Sequence, residues 1–357
     1  MARFSTIEFG FVALCLVGSL AGCSALQTTN QQSVALPPQS SAATTDDQAI
    51  PQYEHIFVIV AENKAYLQVI GKNTPNLTRL ATTYGLAKNF YGEVHPSEAN
   101  YIAMLGGSTF GIHDDDAFYC QAGSSDRFCQ SAKKPGYANH TLRDRSLMDQ
   151  LNEKGLTWKG YFEDLPAADS KAIVAPSLNR ALYAAKHNGF MNFKAVQDDP
   201  KRASQIVPLT QLAIDLQANT APNYSHLVLN QCDEMHGLPE CPNTKDLIQT
   251  GDQRIGKLVD QITQSKLWKA PGNTAIVITW DEDNNPLIKI NPQGCCGVEP
   301  HSTANFGGGH IATIVVTNHG ARGVVDTTPY NHYSLLRTTE DAFGIHEYLN
   351  EAGNTAQ

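Results

Sequence analysis

The chain has 357 residues, of which 41% are hydrophobic and 17% are charged, and its formal net charge is −9. This length is sufficient for one large domain or two modest ones with an ample hydrophobic core. The acidic balance, without a long basic run, argues against nucleic acid as a partner. An anionic substrate would have to be held by local groups or by a metal ion against the field of the whole protein.

Residues 1–22 are predicted to be a lipoprotein signal peptide. Arg3 precedes the apolar run FGFVALCLVGSLAG, which is too short to span a membrane comfortably. The run ends in LAGC, which resembles a bacterial lipobox, and in such signals the cysteine, here Cys23, is lipidated. Ser24 resembles the signal for outer-membrane sorting. An ordinary signal peptide or an uncleaved anchor is the alternative.

Residues 23–50 are rich in Ser, Thr, Gln, Ala and Pro and show no apolar period, which predicts a flexible linker after the lipidated Cys23. Residues 51–350 show no internal repeat and no second change of composition, so they are predicted to form one catalytic domain. We therefore expect an exported lipoprotein at the outer membrane, in the periplasm or at the cell surface, attached to the membrane through its lipid anchor.

Six cysteines follow the leader, an even number that suggests disulfides in an exported chain. The preferred pairs close two short loops, Cys120 with Cys129 and Cys232 with Cys241. Cys295 and Cys296 would then form a vicinal bridge or stay reduced. A zinc site is the rival interpretation, but the chain has no CxxC pair to support it.

Several apolar runs rich in β-branched residues predict strands that are buried on both faces of a mostly parallel sheet. The clearest are HIFVIV at 55–60, HLVLN at 226–230, TAIVITW at 274–280 and IATIVVTN at 311–318. Between them lie amphipathic segments that predict helices: 74–85, 145–155, 250–268 and 332–344. This alternation predicts an α/β fold in which helices cover both faces of the sheet.

Chemically active side chains follow these strands directly. They are Glu62 and Asn63 after the first run, Asp233, Glu234 and His236 after the second, and Asp281 and Glu282 after the third. Ligands of open α/β sheets bind beyond the carboxyl ends of the strands, so these groups are expected to meet there. Adjacent carboxylates are costly unless a cation neutralises them, and oxygen ligands suit a hard ion. We expect one divalent metal ion, whose identity the residues do not specify.

A serine begins the segment HPSEANYIAMLGG, residues 95–107. Ser97 precedes an apolar helical run and would serve as its N-cap. The amino end of a helix also stabilises an alkoxide or a phosphate, so the same hydroxyl is a candidate nucleophile. Both interpretations place Ser97 over the exposed amides of the helix.

Eight segments occur in the order expected of the bacterial and fungal phosphoesterase family, which includes acid phosphatases and phospholipases C. They are HIFVIVAEN, TPNLTRLA, HPSEANYIAMLGG, GLTWKGYFEDLP, NQCDEMHG, TAIVITWDEDNN, GGGHIATIVV and YNHYSLLRTTEDAFG. The chain resembles this family over residues 53–345. The resemblance implies a fold of the alkaline phosphatase superfamily.

The resemblance also implies roles for individual residues. The implied metal ligands are Glu62, Asn63, Ser97, Asp281 and Glu282, and the implied phosphate-binding residue is Asn100. Ser97 is also the implied nucleophile. His236 and His310 are the other implied catalytic residues, which face the phosphoryl group or protonate the leaving alcohol. Two departures stand out: Ala99 replaces the family's usual proline, and Asp233-Glu234 replaces its Asn-Asp, so either carboxylate is a candidate for the usual aspartate role. His95 and His332 are expected to be structural.

The expected function is metal-dependent hydrolysis of phosphate monoesters through a phosphoserine intermediate, as in acid phosphatases. A small phosphate monoester or a lipid phosphate is the expected partner. The predicted membrane tether suggests that phosphoinositide monophosphates are among the substrates. The alternatives are a phosphodiesterase of the phospholipase C type and a surface lipoprotein without catalysis.

Overall fold

The computed structural model describes residues 50–242, 246–284, 294–296 and 307–355. The predicted signal peptide, the lipidation site Cys23 and almost all of the predicted linker lie outside these residues. The catalytic region belongs to one compact unit, Ala49–Gln357. Among the helices of the described residues, none combines the length and the apolar character needed to cross a lipid bilayer.

The described residues form one large sheet and a separate hairpin. The strands of both are β1 His55–Ala61, β2 Gly85–Tyr91, β3 Trp158–Phe162, β4 Val174–Ser177, β5 Arg180–Ala184, β6 Ile206–Pro208, β7 Tyr224–Val228, β8 Thr274–Trp280, β9 His310–Thr317 and β10 Val324–Asn331. The large sheet has the order β10-β2-β9-β8-β1-β7-β3-β6, and β4 pairs with β5 in the hairpin.

One strand of the large sheet runs against its neighbours. Among the described strands, β9 is antiparallel to both β2 and β8, whereas the other pairings in this sheet are parallel. The amino end of β9 therefore lies at the same edge as the carboxyl ends of β1, β2, β7 and β8. The groups that follow these strands and the group that begins β9 are brought to one edge of the sheet.

The central strand β1 shows why the sheet is covered on both faces. Its alternate residues belong to two separate hydrophobic clusters, Val58 and Val60 on one face and Phe57 and Ile59 on the other. Such a strand must bury both faces, and side chains of the flanking helices complete the two cores. The structure confirms the predicted α/β fold.

Helices cover both faces of the sheet. The α-helices are α1 Tyr66–Val69, α2 Pro75–Thr83, α3 Glu98–Gly106, α4 Leu147–Glu153, α5 Lys194–Gln197, α6 Pro200–Ala203, α7 Thr210–Ala218, α8 Leu247–Gln264 and α9 His332–Ala342. Four helices that cover the sheet, α2, α4, α8 and α9, correspond to the predicted amphipathic segments, and α3 to the apolar run after Ser97. Three short 3₁₀ helices are Ala185–His187, Gly189–Asn192 and Asn350–Asn354. Side chains of α2, α7 and α8 pack into one core, and those of α3, α4 and α9 pack into the other.

The described residues contain three disulfides. Cys120 is joined to Cys129 and Cys232 to Cys241, as the loop lengths suggest. Cys295 and Cys296 are joined to each other, which is one of the two alternatives left by the sequence.

Candidate active site

Carboxylates lie at the ends of the two central strands. Glu62 follows β1, and Asp281 and Glu282 follow β8, its parallel neighbour. The backbone N–H of Asp281 donates to the carbonyl of Ala61 at 3.1 Å, which holds the two strand ends side by side. All three acidic side chains are buried, as expected for groups that face an interior ligand rather than water.

The hydroxyl of Ser97 lies between two of these carboxylates. Its Oγ is 3.2 Å from Glu62 Oε2 and 3.2 Å from Glu282 Oε1, and the residue is 1% exposed. Ser97 directly precedes α3, but its side chain makes no capping hydrogen bond with the helix. The hydroxyl is therefore directed to the carboxylates, which favours the nucleophile interpretation over the N-cap.

Asn63 links the acidic groups that follow β8. Its Nδ2 donates to Glu282 Oε1 at 2.7 Å, and its backbone N–H donates to Asp281 Oδ1 at 3.1 Å. Its backbone has a positive φ of 41°, a conformation that asparagine tolerates better than most residues. The five predicted metal ligands, Glu62, Asn63, Ser97, Asp281 and Glu282, are thus brought into one network.

Glycines allow the chain to pass close to this network. A Cβ added to Gly92 would lie 2.7 Å from the carbonyl oxygen of Asp281. Gly309 has a φ of 84°, and a Cβ there would collide with the carboxylate of Asp283. Gly92, directly after β2, and Gly309, directly before β9, therefore leave the space that the site edge requires.

Glu234, rather than Asp233, joins the site. Glu234 is fully buried, and its Oε1 lies 3.1 Å from Nδ1 of His187. Asp233 instead accepts a hydrogen bond from Nε of Arg254 at 2.7 Å. The structure therefore places the second of the two adjacent carboxylates beside the other acids.

Two buried residues that the sequence interpretation missed also contact Glu62. Nε2 of His187 lies 3.3 Å from Glu62 Oε1, and the hydroxyl of Tyr101 donates to the same oxygen at 2.6 Å. Tyr101 belongs to α3, where its spacing is typical of an ordinary core residue. His187 lies on the short helix Ala185–His187 after the hairpin, and the strand before it, β5, is not a β-branched apolar run of the kind that precedes the other site groups.

His236 lies beside His187. The two rings have their centroids 5.7 Å apart, and His236 Nδ1 is 2.9 Å from the carbonyl oxygen of Gly237. Ligand atoms of Glu62, His187 and His236 all lie within 4.8 Å of one another. The structure therefore places His236 in the site, while its part in catalysis stays a prediction.

His95 also belongs to the site, although the sequence interpretation placed it among the structural histidines. Its Nδ1 contacts Glu282 Oε2, and its Nε2 lies 3.8 Å from Asp283 Oδ1. His332, by contrast, has the expected structural contact: it begins α9, and its Nε2 is 2.9 Å from the carbonyl oxygen of Trp280.

Asn100 and His310 make other contacts. Asn100 Oδ1 accepts from the backbone N–H groups of Glu93 and Val94, and its Nδ2 donates to the carbonyl of Val94, so it holds the loop before His95. His310 Nε2 is 2.7 Å from the carbonyl oxygen of Lys88. Its ring stacks against those of Tyr66 and Tyr91. A contact of Asn100 or His310 with phosphate stays a prediction.

We refer to the buried carboxyl groups of Glu62, Glu234, Asp281 and Glu282 as the acidic cluster. Burial raises the pKa of each of these four groups. Repulsion by the Asp281 carboxylate raises the pKa of Glu62 and Glu282 further, and Glu62 does the same for Glu234. Such a cluster is stable in its ionised form only when positive charge is supplied nearby.

The pKa values of the histidines around the acidic cluster are lowered, whereas those of the carboxyl groups are raised. Burial lowers the pKa of His187, of His236 and of His95. The charge of Lys186 lowers the pKa of His187 and His236 further. Neutral imidazoles are the form in which histidine ligates a metal or accepts a proton.

The residues present fit a divalent cation. The donors are carboxylate and amide oxygens, with neutral imidazoles beside them, and this combination suits divalent metals. Asn63 Oδ1 and Asp281 Oδ2 are buried and have no hydrogen-bond partner among the described residues. A bound cation would satisfy these atoms and would offset the repulsion within the acidic cluster.

A buried serine hydroxyl among carboxylates, with imidazoles beside them, is an arrangement suited to a hydrolytic enzyme. The chain belongs to the Phosphoesterase family, whose model matches residues 71–346. A solved structure of a protein in the alkaline phosphatase superfamily from Vibrio parahaemolyticus has a TM-score of 0.50 with 13% identity, covering 83% of this chain and 68% of that one. That similarity supports the fold.

Named relatives support the enzyme class. The chain is 26% identical to a phosphatidylinositol-3-phosphatase of Mycobacterium tuberculosis, over 83% of this chain and 79% of that protein. It is 23% identical to a phosphate-repressible acid phosphatase of Penicillium chrysogenum, over 76% of this chain and 54% of that protein. The chain therefore spans about half the length of the fungal relative. It is a hydrolase that acts on phosphoric ester bonds.

The two local disulfides provide a matched pair for testing how the site loop is held. Both join cysteines nine positions apart, but only Cys232–Cys241 encloses the Glu234–His236 loop. Replacing both cysteines of either pair by serine should cost about 3 kcal/mol of unfolding free energy, since loops of equal length constrain the unfolded chain equally. Only the Cys232→Ser/Cys241→Ser variant should also lose phosphatase activity under conditions where both variants are folded. Equal activity of the two variants would show that the disulfide does not hold the site loop.

Proposed function

We propose that this protein is a metal-dependent phosphomonoesterase that acts through a phosphoserine formed on Ser97. The position of the Ser97 hydroxyl carries the proposal: it is buried, it lies 3.2 Å from a carboxylate oxygen on each side, and it does not cap its helix. A serine held only for helix stability would direct its oxygen to the helix backbone.

In the first half of the reaction, Ser97 Oγ attacks the phosphorus atom. The new Oγ–P bond forms as the bond between phosphorus and the alcohol oxygen breaks. The hydroxyl proton passes to a neighbouring carboxylate oxygen of Glu62 or Glu282. The negative charge of the bound phosphoryl group favours the protonated form of His236, which gives this proton to the departing alcohol oxygen and becomes neutral again. In the second half, water attacks the phosphoserine, which releases inorganic phosphate and restores the Ser97 hydroxyl.

The metal ligands we propose are Glu62, Asn63, Ser97, Asp281 and Glu282. A divalent cation bound there would lower the pKa of the serine hydroxyl and stabilise negative charge on the phosphoryl oxygens. The protein's own contribution is to hold these oxygen donors together. The hydrogen bonds of Asn63 to Asp281 and Glu282 fix their relative positions before a ligand binds.

A phosphate monoester is the substrate class that this site fits best. Its terminal phosphoryl group approaches end-on and needs only the nucleophile, the cation and a proton donor. A diester lipid also needs an apolar surface for its diacylglycerol. An apolar cavity of about 370 Å³ among the described residues is lined by parts of β1, β2, β8, β9, β10 and α9, and neither Ser97 nor a member of the acidic cluster lines it.

We also propose phosphoinositide monophosphates among the substrates. A relative is named a phosphatidylinositol-3-phosphatase, and the predicted tether would hold the domain near lipid headgroups.

The test compares a chromogenic monoester and a diester with the same leaving group. The wild-type domain should hydrolyse the monoester faster, and Ser97→Ala should reduce turnover on the order of 10⁴-fold because no other hydroxyl takes its place. Phosphate binding by Ser97→Ala should remain measurable by calorimetry. Faster hydrolysis of the diester, or of phosphatidylcholine, would favour the phospholipase C alternative.

Metal dependence is tested at Asp281. Asp281→Asn keeps the side-chain shape but removes a charge from the acidic cluster, so bound metal should be lost together with roughly 10³-fold in turnover, about 4 kcal/mol. The matched control is Asp252→Asn, because Asp252 is also buried but accepts hydrogen bonds from Asn76 and Leu77 in α2. Elemental analysis and a chelator titration measure the outcome. An active Asp281→Asn enzyme that contains no metal would contradict the assignment.

Attachment to the membrane is proposed through lipidation of Cys23. Cys23→Ser should move the protein from the membrane fraction to the soluble fraction on cell fractionation, because the lipobox cysteine is the acceptor of the lipid. Cys15→Ser changes a cysteine within the leader and should leave the distribution unaltered. Equal membrane association of both variants would refute lipidation at Cys23.

A further inference from the structure

Lys186 supplies positive charge to the acidic cluster. It lies on the 3₁₀ helix Ala185–His187, next to the histidine that contacts Glu62. His187 lies 3.3 Å from Glu62 Oε1 and 3.1 Å from Glu234 Oε1, which places Lys186 at the edge of the acidic cluster. The Lys186 side chain is 24% exposed, whereas the four carboxyl groups are nearly or fully buried, so Lys186 is the more exposed to solvent.

Asp115 holds this ammonium in place. Lys186 Nζ is 3.0 Å from Asp115 Oδ2, and Asp115 Oδ1 accepts from the backbone N–H of Glu98 at 3.1 Å. Glu98 directly follows Ser97. Lys186 is therefore positioned from two directions, by the start of the nucleophile helix and by His187.

Lys64 also lies near Glu62, but its contacts differ from those of Lys186. The Nζ of Lys64 donates to the carbonyl of Asn63 at 2.9 Å, and the residue is only 8% exposed. The Nζ of Lys186 instead pairs with the carboxylate of Asp115, and its side chain is 24% exposed. Lys186 is therefore the one of these two lysines that offers an ion-paired, partly exposed ammonium beside the acidic cluster.

We propose that Lys186 is a specificity-determining residue that binds the terminal phosphoryl oxygens and favours monoesters over diesters. This inference rests on the proposed phosphatase function of the same site. A monoester carries up to two negative charges on three terminal oxygens, whereas a diester carries one charge on two. An ammonium has three donors, and the bond to Asp115 uses one of them. A fixed positive charge in a partly buried site therefore stabilises the monoester and its transition state more.

The first experiment replaces Lys186 by methionine and measures kcat/KM for p-nitrophenyl phosphate and bis(p-nitrophenyl) phosphate. Monoester hydrolysis should fall about 100-fold, and diester hydrolysis by about 5-fold or less. Lys194→Met is the matched control, because Lys194 pairs with Asp198 on the surface of α5. It should leave both substrates unaffected. Thermal unfolding verifies that the variants are folded, and Lys186→Arg, which keeps the charge, should retain the preference for the monoester.

The second experiment measures binding without turnover. In a Ser97→Ala background, Lys186→Met should weaken the binding of inorganic phosphate at least about 10-fold by calorimetry. Lys194→Met in the same background should not change it. This measurement separates a contact with phosphate from a purely structural role for Lys186.

The outcomes distinguish the two proposals. An unchanged ratio of monoester to diester hydrolysis in Lys186→Met, with unchanged phosphate affinity, would overturn the role of Lys186 and leave the phosphatase function intact. A wild-type protein that hydrolyses neither ester would overturn the proposed function. In that event the phosphate titration still decides whether Lys186 binds phosphate.

Discussion

The mutual repulsion of buried carboxylates is the constraint on which the rest of the site depends. Two unit charges 4 Å apart repel by about 4 kcal/mol at an effective dielectric constant of 20. Glu62, Glu234, Asp281 and Glu282 lie together with almost no exposure to water. Folding would favour apolar residues at these positions, so a cluster of this kind marks a candidate functional site, and the cation we propose would offset the repulsion.

Strand direction explains how so many polar groups reach one place. Parallel strands deliver their carboxyl ends to a single edge, and the antiparallel strand β9 adds its amino end there. Glycine makes this approach possible, since any side chain at Gly92 or Gly309 would collide with Asp281 or Asp283. The cores on both faces supply the apolar burial that offsets the cost of the acidic cluster.

The sequence was sufficient for the elements whose signal is local. The apolar runs of β1 and β8 are continuous because both faces of these strands are buried, so the strands were predicted. The acids directly after them were then predicted to lie at the site, at the carboxyl edge of the sheet. The roles of Glu234 and Asp233 could not be separated, because each follows the same strand and they are distinguished by His187 and Arg254, which belong to other elements. His187 was missed because a 3₁₀ helix after a hairpin carries no pattern that signals a site. Asn100 holds the loop before His95, a contact that depends on the path of the backbone.

The acidic cluster lies in the interior of the site, and an ion pair of lysine and aspartate lies closer to the solvent. Glu62 is fully buried and receives hydrogen bonds from neutral groups, among them the hydroxyl of Tyr101. Lys186 and Asp115 form a more exposed pair beside it, tied to the helix that follows Ser97. In the proposed reaction, a doubly charged phosphate must pass the overall negative field of the protein before it reaches Ser97. The ammonium of Lys186 would lower that barrier locally, while the buried acids would hold the proposed cation.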